Sequence, residues 1–184
     1  MRFSSIFTAL ISLTAFTAVK ASPIDNDKRS ILEKKDFGPN TIFTPPANYS
    51  AVKTLYGRSA LLTDNSVIAT WENYDWTGEN KPYMPIYRST NGGQTWTEIA
   101  RVRDQVNNWG LRFQPHLYVL PQAFGGLPAG AILLAANSIP GDLSKTKIDI
   151  YSSVDGGRNW RFMSSVASGG KASTRDGVSG DPTT

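Results

Sequence analysis

The sequence predicts an all-β protein built from two four-stranded antiparallel sheets. Three observations lead to this fold class: a turn motif that occurs twice, short strand-like runs on both sides of each copy, and no helix of useful length after the N-terminal leader. The chain has no cysteine, so disulfide bonds and thiol catalysis are both excluded.

The repeated motif has the pattern Ser-x-Asp/Asn-Gly-Gly-x-x-Trp, known as the Asp-box. It begins at Ser89 and again at Ser153, 64 residues later. Glycine accepts positive φ, and an Asp or Asn side chain accepts hydrogen bonds from nearby backbone N–H groups, so the pattern predicts a tight hairpin turn. We expect a structural role, not a catalytic one, for Ser89, Asn91, Gly93, Trp96, Ser153, Asp155, Gly157 and Trp160.

Each copy of the motif joins the third and fourth strands of a predicted four-stranded unit. Strand-like runs at 59–62, 67–71 and 84–88 precede the first copy, and runs at 115–120, 131–136 and 147–151 precede the second. Four antiparallel strands of this kind form a propeller blade. The sequence therefore predicts an extended segment at 30–53, blades at 54–103 and 111–167, and a disordered tail at 168–184.

Two blades are too few to close a propeller, which needs about four to eight. An open pair would leave bare strand edges and uncovered faces. We therefore expect the chain to be the front part of a longer propeller. Assembly with a second copy or with another chain is the alternative.

The N-terminal residues carry the features of a secretory leader. Residues 1–21 combine one early basic residue, an apolar run and a small-residue exit, which predicts a signal peptide and an extracellular protein. Residues 22–29 end in Lys28-Arg29, which indicates either a short pro-peptide cut after two basic residues or simply two solvated side chains. Asn48-Tyr49-Ser50 is a candidate glycosylation site.

Candidate ligand-binding residues lie next to the apolar runs that would line a propeller's centre. Aligning the two units by hand places Arg58 against Gln114, and Glu72 against Asn137. Residues 71–76 set aromatic rings beside carboxylates, as sugar sites do, although a surface loop explains them equally well. The candidate substrate-binding residues are therefore Arg58, Glu72, Gln114, His116 and Asn137.

The composition argues against several function classes. With one histidine and no cysteine a zinc site is not expected, so we predict no metal and no cofactor. The net charge of +4 is not gathered into basic patches among aromatics, which disfavours nucleic acid, and no membrane partner is expected after signal cleavage. Glycoside hydrolysis needs two carboxyl groups at one bond, and only Glu72 has a suitable setting. The sequence therefore leaves open whether this chain is an enzyme and assigns no catalytic residue.

Four segments carry a more specific likeness: residues 87–96, 112–118, 126–138 and 147–157. Together they resemble the fungal glycoside hydrolase family 93, whose members are secreted exo-α-1,5-L-arabinanases with BNR (Asp-box) repeats. The resemblance implies a six-bladed, sialidase-like propeller that releases arabinobiose from α-1,5-linked arabinan with retention, without a metal.

The same resemblance bears on catalysis. It places the two catalytic glutamates in later blades, beyond residue 184, so we expect this chain to be truncated before them and inactive alone. Its partner would then be arabinan of the plant cell wall, or another glycan. The alternative function is a non-catalytic glycan-binding module of the sialidase superfamily.

Overall fold

A computed structural model of the chain describes residues 40–49, 53–75 and 81–172. These residues form eight strands and no helix, and the strands make two antiparallel sheets in the orders β1-β2-β3-β4 and β5-β6-β7-β8. The predicted fold class is confirmed: two four-stranded blades stand side by side in an open arrangement. The strands of the first blade are Thr54–Leu61, Val67–Asn73, Met84–Ser89 and Thr97–Val102, and those of the second are Leu111–Val119, Ile132–Ser138, Thr146–Ser153 and Arg161–Gly169.

Burial differs among the strands of a blade, and the sequence explains why. All but the first residue of β2 are buried, because its apolar run is covered on both faces. By contrast β1, the first strand of the blade, is mostly exposed. The second strands of both blades are thus the core strands, and β1 and β5 contact each other across the blades.

The two blades pack face to face through one apolar core. The first blade contributes Ile68, Ile86 and Val102, and the second contributes Leu134 and Tyr151, each at most 1% exposed. Burying a large apolar side chain of this kind stabilises a fold by about 1.5–3 kcal/mol. This interface therefore fixes how the second blade sits on the first.

The opposite face of the first blade is covered by the N-terminal segment 40–49. Phe43 stacks on Trp71 with ring centroids 5.4 Å apart, and Trp71 lies 4.9 Å from the ring of Tyr87. The segment itself forms no strand and turns at 46–49, where the Tyr49 N–H donates to the carbonyl of Pro46 (3.2 Å). Asn48 is exposed on that turn.

Each blade has two ends with different loops. At the turn end lie the β1–β2 turn and the repeated motif, which we call the first repeated turn (90–96) and the second repeated turn (154–160). At the opposite end, the loop end, lie the β2–β3 connection, the linker 103–110 between the blades, and the connection 139–145. The loop end also holds the start of each first strand.

Several expectations from the sequence fall on residues that the structure does not describe. The signal segment 1–21, the segment 22–29, most of 30–53 and the last part of the tail, 173–184, lie outside the described residues. Within the expected tail, β8 continues to Gly169, and Ala172 is buried with its N–H donating to the carbonyl of Leu143 (2.8 Å). Among the residues that are described, no helix is long and apolar enough to cross a membrane.

Candidate functional site

The candidate site lies at the loop end, where both first strands carry a β-bulge. On β1 the register passes from Leu55 opposite Glu72 to Arg58 opposite Thr70, so the strand contains one extra residue. On β5 it passes from Arg112 opposite Asn137 to His116 opposite Ala135, which leaves two extra residues. Bulges bend a strand and redirect its side chains, and they are frequent beside binding sites.

These registers correct the alignment made from the sequence. Glu72 and Asn137 do occupy equivalent places on β2 and β6, one step beyond the bulge. Arg58, however, corresponds to His116, not to Gln114. The expectation failed because the second blade has one more bulge residue than the first, and hydrophobic alternation does not reveal a bulge.

The backbone of both bulges is strained. Tyr56 has φ 49°, and Phe113 and Gln114 have φ 48° and 43°, which is the left-handed region that residues other than glycine seldom adopt. In the first blade the strained residue is followed by Gly57, whereas in the second blade two strained residues stand next to each other. Strained backbone persists only where neighbouring groups hold it.

Glu72 is one of the groups that hold the second bulge. Its side chain is buried, with 2% of the residue exposed. One carboxylate oxygen accepts a hydrogen bond from the backbone N–H of Gln114 (2.5 Å), and the other accepts from the Tyr74 hydroxyl (2.8 Å). Burial and this bond to Glu72 raise the pKa of Tyr74, so the phenol stays a donor at neutral pH.

Asn137 holds the same bulge from within the second blade. It is 5% exposed, and its Nδ2 donates to the carbonyl of Phe113 (3.5 Å). Arg112 stands beside this region, and its burial lowers the pKa of the guanidinium. Glu72 and Asn137 thus bind the N–H and the carbonyl of a single peptide group, the one that joins Phe113 to Gln114.

The other three predicted residues are exposed to solvent. Arg58, Gln114 and His116 all lie on the first strands. The structure therefore separates the five predicted residues into two buried supports and three exposed side chains. Tyr56, which is 49% exposed, is a further aromatic on this surface that the sequence analysis missed. The first strand-like run predicted in this blade begins only at residue 59, and no local sequence feature indicates that Tyr56 is exposed.

An open groove of about 550 Å³ lies beside Tyr56, between β1 and the segment 40–49. Its walls include Phe43 and Trp71, so aromatic rings meet backbone and threonine hydroxyls there. Trp71 faces this side of the blade, whereas the next residue, Glu72, reaches the second blade. Of the aromatic residues expected near the Glu72 carboxylate, Tyr74 contacts it through its hydroxyl, Trp71 lies on the other face, and Trp76 lies outside the described residues.

The first repeated turn is closed by its own side chains. The N–H of Gly93 donates to Ser89 Oγ (2.8 Å), and Ser89 Oγ donates to Asn91 Oδ1 (2.9 Å). Asn91 Oδ1 accepts from the N–H of Thr95 (3.0 Å), and the Trp96 indole donates to the carbonyl of Gly93 (2.9 Å).

The second repeated turn repeats this network with a charged residue. Gly157 N–H donates to Ser153 Oγ (3.0 Å), and Asp155 Oδ1 accepts from the N–H of Asn159 (3.0 Å). The Trp160 indole donates to the carbonyl of Gly157 (2.8 Å). Desolvation acts to raise the pKa of Asp155, but the hydrogen bonds from Asn159, Ser153 and Arg158 together outweigh it and lower that pKa to about 2.

Arg88 links the turn ends of the two blades. Its side chain is 10% exposed and forms an ion pair with Asp64. Nε donates to Ser66 Oγ (3.0 Å), and Nη1 reaches the carbonyl of Gly156 in the second repeated turn (3.4 Å). The guanidinium therefore spans the β1–β2 turn of one blade and the repeated turn of the other.

Asp104 organises the linker between the blades and was not anticipated from the sequence. It accepts from the backbone N–H groups of Val106, Asn107 and Trp109 at 2.9–3.0 Å, and from Ser138 Oγ at 2.6 Å. Desolvation acts to raise the pKa of Asp104, and these donors together lower it. Its sequence context is a plain Arg-Asp-Gln loop, so only the folded linker reveals the role.

Within 40–49, 53–75 and 81–172, no group of three His, Cys, Asp or Glu residues could hold a metal ion.

Several solved structures are similar to this chain. An α-L-arabinofuranosidase of Fusarium graminearum in complex with an iminosugar inhibitor is 50% identical, with a TM-score of 0.70, over 72% of this chain and 37% of that chain. A second structure of the family 93 α-L-arabinofuranosidase of that fungus, complexed with arabinobiose, has 50% identity and a TM-score of 0.69, covering 71% of this chain and 36% of that chain.

An α-L-arabinanase of Penicillium chrysogenum complexed with arabinobiose is 49% identical, with a TM-score of 0.70, over 73% of this chain and 38% of that chain. The chain therefore spans less than two-fifths of the length of these relatives. Neither a protein-family model nor a curated protein matches the chain.

The blades, their first-strand bulges and the solved relatives define a sialidase-like β-propeller protein. Within that class, the chain belongs to glycoside hydrolase family 93.

Proposed function

We propose that this chain carries part of the arabinan-binding surface of a family 93 glycoside hydrolase. The observation that carries the proposal is that Arg58, Gln114 and His116 are exposed on the two first strands, which contact each other, while Glu72 and Asn137 are buried on the neighbouring second strands. Polar donors near an exposed aromatic ring suit a sugar, whose hydroxyls take hydrogen bonds while its ring face packs on the aromatic. Relatives crystallised with arabinobiose support the choice of glycan.

We further propose that the chain binds arabinan without hydrolysing it. The only carboxylate with a suitable setting in the sequence is Glu72, and both of its oxygens are already engaged by Gln114 and Tyr74. Glycoside hydrolysis needs two carboxyl groups that face one bond, and this buried carboxylate faces protein donors instead. A retaining exo-arabinanase reaction would then depend on carboxylates outside the described residues.

Calorimetry with linear α-1,5-arabino-oligosaccharides tests binding, and chromatography of the products tests hydrolysis. We expect saturable binding with no release of arabinobiose. Gln114→Ala and His116→Ala should each weaken binding, whereas Glu98→Gln, on the outer strand of the first blade, should not. Release of arabinobiose by the purified chain would contradict the second proposal, and no measurable binding would contradict the first.

A non-catalytic glycan-binding module is the second candidate function, and the engagement of both Glu72 oxygens favours it. The two candidates differ in specificity. An arabinanase surface should prefer α-1,5-arabinan over galactan or xylan oligosaccharides of equal length, and a general module should bind them alike. In either case the repeated turns are proposed to be Asp-boxes with a structural role.

We also propose that the chain is secreted. The support is the leader-like composition of residues 1–21 and the exposed sequon residue Asn48. N-terminal sequencing of protein from the culture medium of a fungal host should begin near Ala21 or, after cleavage at Lys28-Arg29, at Ser30. Treatment with an endoglycosidase should lower the mass of the wild type and leave Asn48→Gln unchanged. Protein retained in the cells with Met1 in place would contradict secretion.

A further inference from the structure

The exposed Gln114 side chain stands on an unusual piece of backbone. Phe113 and Gln114 are consecutive residues in the left-handed region, and Pro115 follows them. Two adjacent non-glycine residues in this conformation would relax into an ordinary extended strand unless they were held. Relaxation would change the direction of the Gln114 side chain, because a bulge decides which way its residues point.

The group that holds Gln114 comes from the other blade. Glu72 lies on β2 of the first blade, and its carboxylate accepts the Gln114 N–H at 2.5 Å. Asn137, the equivalent residue of the second blade, binds the carbonyl of the same peptide group, that of Phe113. The bond from Gln114 to Glu72 is the shorter of the two, 2.5 Å against 3.5 Å, so Glu72 is the stronger of the two holds.

The first blade has a less demanding bulge. It contains one residue in the left-handed region, Tyr56, followed by Gly57, whereas the second-blade bulge contains two in succession. The inter-blade carboxylate of Glu72 therefore contacts the bulge that has two strained residues.

We infer that Glu72 is a positioning residue, which fixes the second-blade bulge so that Gln114 presents its amide to the glycan. The identity of the glycan in this inference rests on the proposed function. The positioning role rests on the contact between Glu72 and Gln114. Glu72 touches no ligand in this arrangement and acts only through the backbone of Gln114.

The test uses the full chain and three substitutions at position 72. Glu72→Leu removes the acceptor. Glu72→Asp keeps the carboxylate on a side chain that is one methylene shorter, and Glu72→Gln keeps an acceptor oxygen on a side chain of the same length. NMR reports the backbone N–H proton of Gln114, whose resonance moves downfield when it donates a short hydrogen bond to a carboxylate. Calorimetry reports the affinity for linear arabino-oligosaccharides. Should Glu72→Leu fail to fold, Glu72→Asp provides the same comparison.

We expect Glu72→Leu and Glu72→Asp to shift the backbone N–H resonance of Gln114 upfield and to lower the affinity for arabino-oligosaccharides at least tenfold. The affinity of Glu72→Gln should stay within about threefold of wild type. Gln114→Ala should weaken binding in the wild type but add nothing in the Glu72→Leu background. Arg88→Lys, at the turn end, is the control: it should lower the melting temperature without changing affinity.

The outcomes separate the inference from the proposed function. An unchanged backbone N–H resonance of Gln114 in Glu72→Leu would overturn the positioning role. So would fully additive losses of affinity from Glu72→Leu and Gln114→Ala. A wild-type chain that binds no arabino-oligosaccharide would overturn the arabinan proposal, and the amide resonance would then decide by itself whether Glu72 fixes the bulge.

Discussion

The two blades have the same strand order and the same repeated turn, yet they differ in what covers their faces. In the first blade one face packs on the second blade and the other lies under the segment 40–49. In the second blade the described residues cover one face fully and the other only near Leu120 and Met163. Exposed Tyr118 and Val166 lie in that blade, 50% and 60% exposed. Repeated sequence therefore produces equivalent strands but not equivalent burial, because burial depends on the neighbour of each face.

The two repeated turns show the same contrast on a smaller scale. Both use a serine hydroxyl, a side-chain oxygen and an indole N–H in equivalent hydrogen bonds, although one turn has the neutral Asn91 and the other the charged Asp155. An acceptor oxygen is thus what the turn requires, and charge is not. This supports a structural role for the motif.

The largest expected effect is a loss of stability when an isoleucine of the core between the blades is truncated, compared with its equivalent in the second blade. Ile86 is fully buried between the blades, and its repeat equivalent, Ile150, is only half-buried. We expect Ile86→Ala to lower the free energy of unfolding by about 2–5 kcal/mol, because it leaves a cavity in the shared core. Ile150→Ala should cost less, about 1–2 kcal/mol, because its side chain is already partly exposed. Chemical denaturation measures both, and equal losses would contradict the difference in burial.

A glycine of the repeated turn tests the contact between the blades. Gly93 and Gly157 have φ of 87° and 91°, so any side chain is strained at either position. A Cβ at Gly157 would also lie 3.4–3.5 Å from Ile99, Ile68 and Ile86 of the first blade. We expect Gly157→Val to cost about 2–4 kcal/mol through strain and overpacking, against about 1–2 kcal/mol for Gly93→Val. Thermal unfolding of the pair measures this, and the reverse order would refute the close approach.

Arg88 provides a test at the turn end. Its guanidinium serves three partners at once through separate nitrogen atoms, and the single ammonium nitrogen of a lysine cannot reach all of them. We expect Arg88→Lys to lower the free energy of unfolding by about 1–2 kcal/mol. Arg101→Lys, which loses an exposed pair with Glu98 within one strand, is the control and should change stability by less than about 0.5 kcal/mol. Indistinguishable variants would show that the inter-blade link adds no stability.

The smallest expected effect is the acid sensitivity of the second repeated turn. The pKa of Asp155 is lowered from 3.8 to about 2, so the folded state favours the ionised form. Its stabilisation is present above pH 4 and is lost as the pH falls through about 2. After allowance for solvent screening we expect a loss of about 1 kcal/mol across that window.

Exchanging the two acceptors separates Asp155 from the other acids. Asp155→Asn should remove this part of the acid dependence, and Asn91→Asp should add a similar part in the first turn. Melting temperatures between pH 2 and pH 5 measure it. An unchanged pH profile in both variants would mean that folding does not lower the pKa of Asp155.

Local sequence features predicted the two repeated turns well, because serine, Asp or Asn, glycine and tryptophan close that network among themselves within eight residues. The blade strands were predictable for a similar reason, since alternation and apolar runs mark them directly. The candidate site was predicted less completely. Glu72 and Asn137 were recognised as equivalent, but the sequence offered no sign that they are buried supports while Gln114 is exposed.

The sequence by itself determined the all-β class, the two turns and the family likeness, because each depends on residues close together in the chain. Only the tertiary structure decided the bulge registers, the equivalence of Arg58 and His116 in the two blades, and the contact between Glu72 and the Gln114 backbone. The bulge registers depend on strand pairs within each blade, between residues 12 to 25 apart in sequence, and the contact between Glu72 and Gln114 joins residues 42 apart on different blades. Packing between distant segments sets them, and no local pattern of residues carries that information.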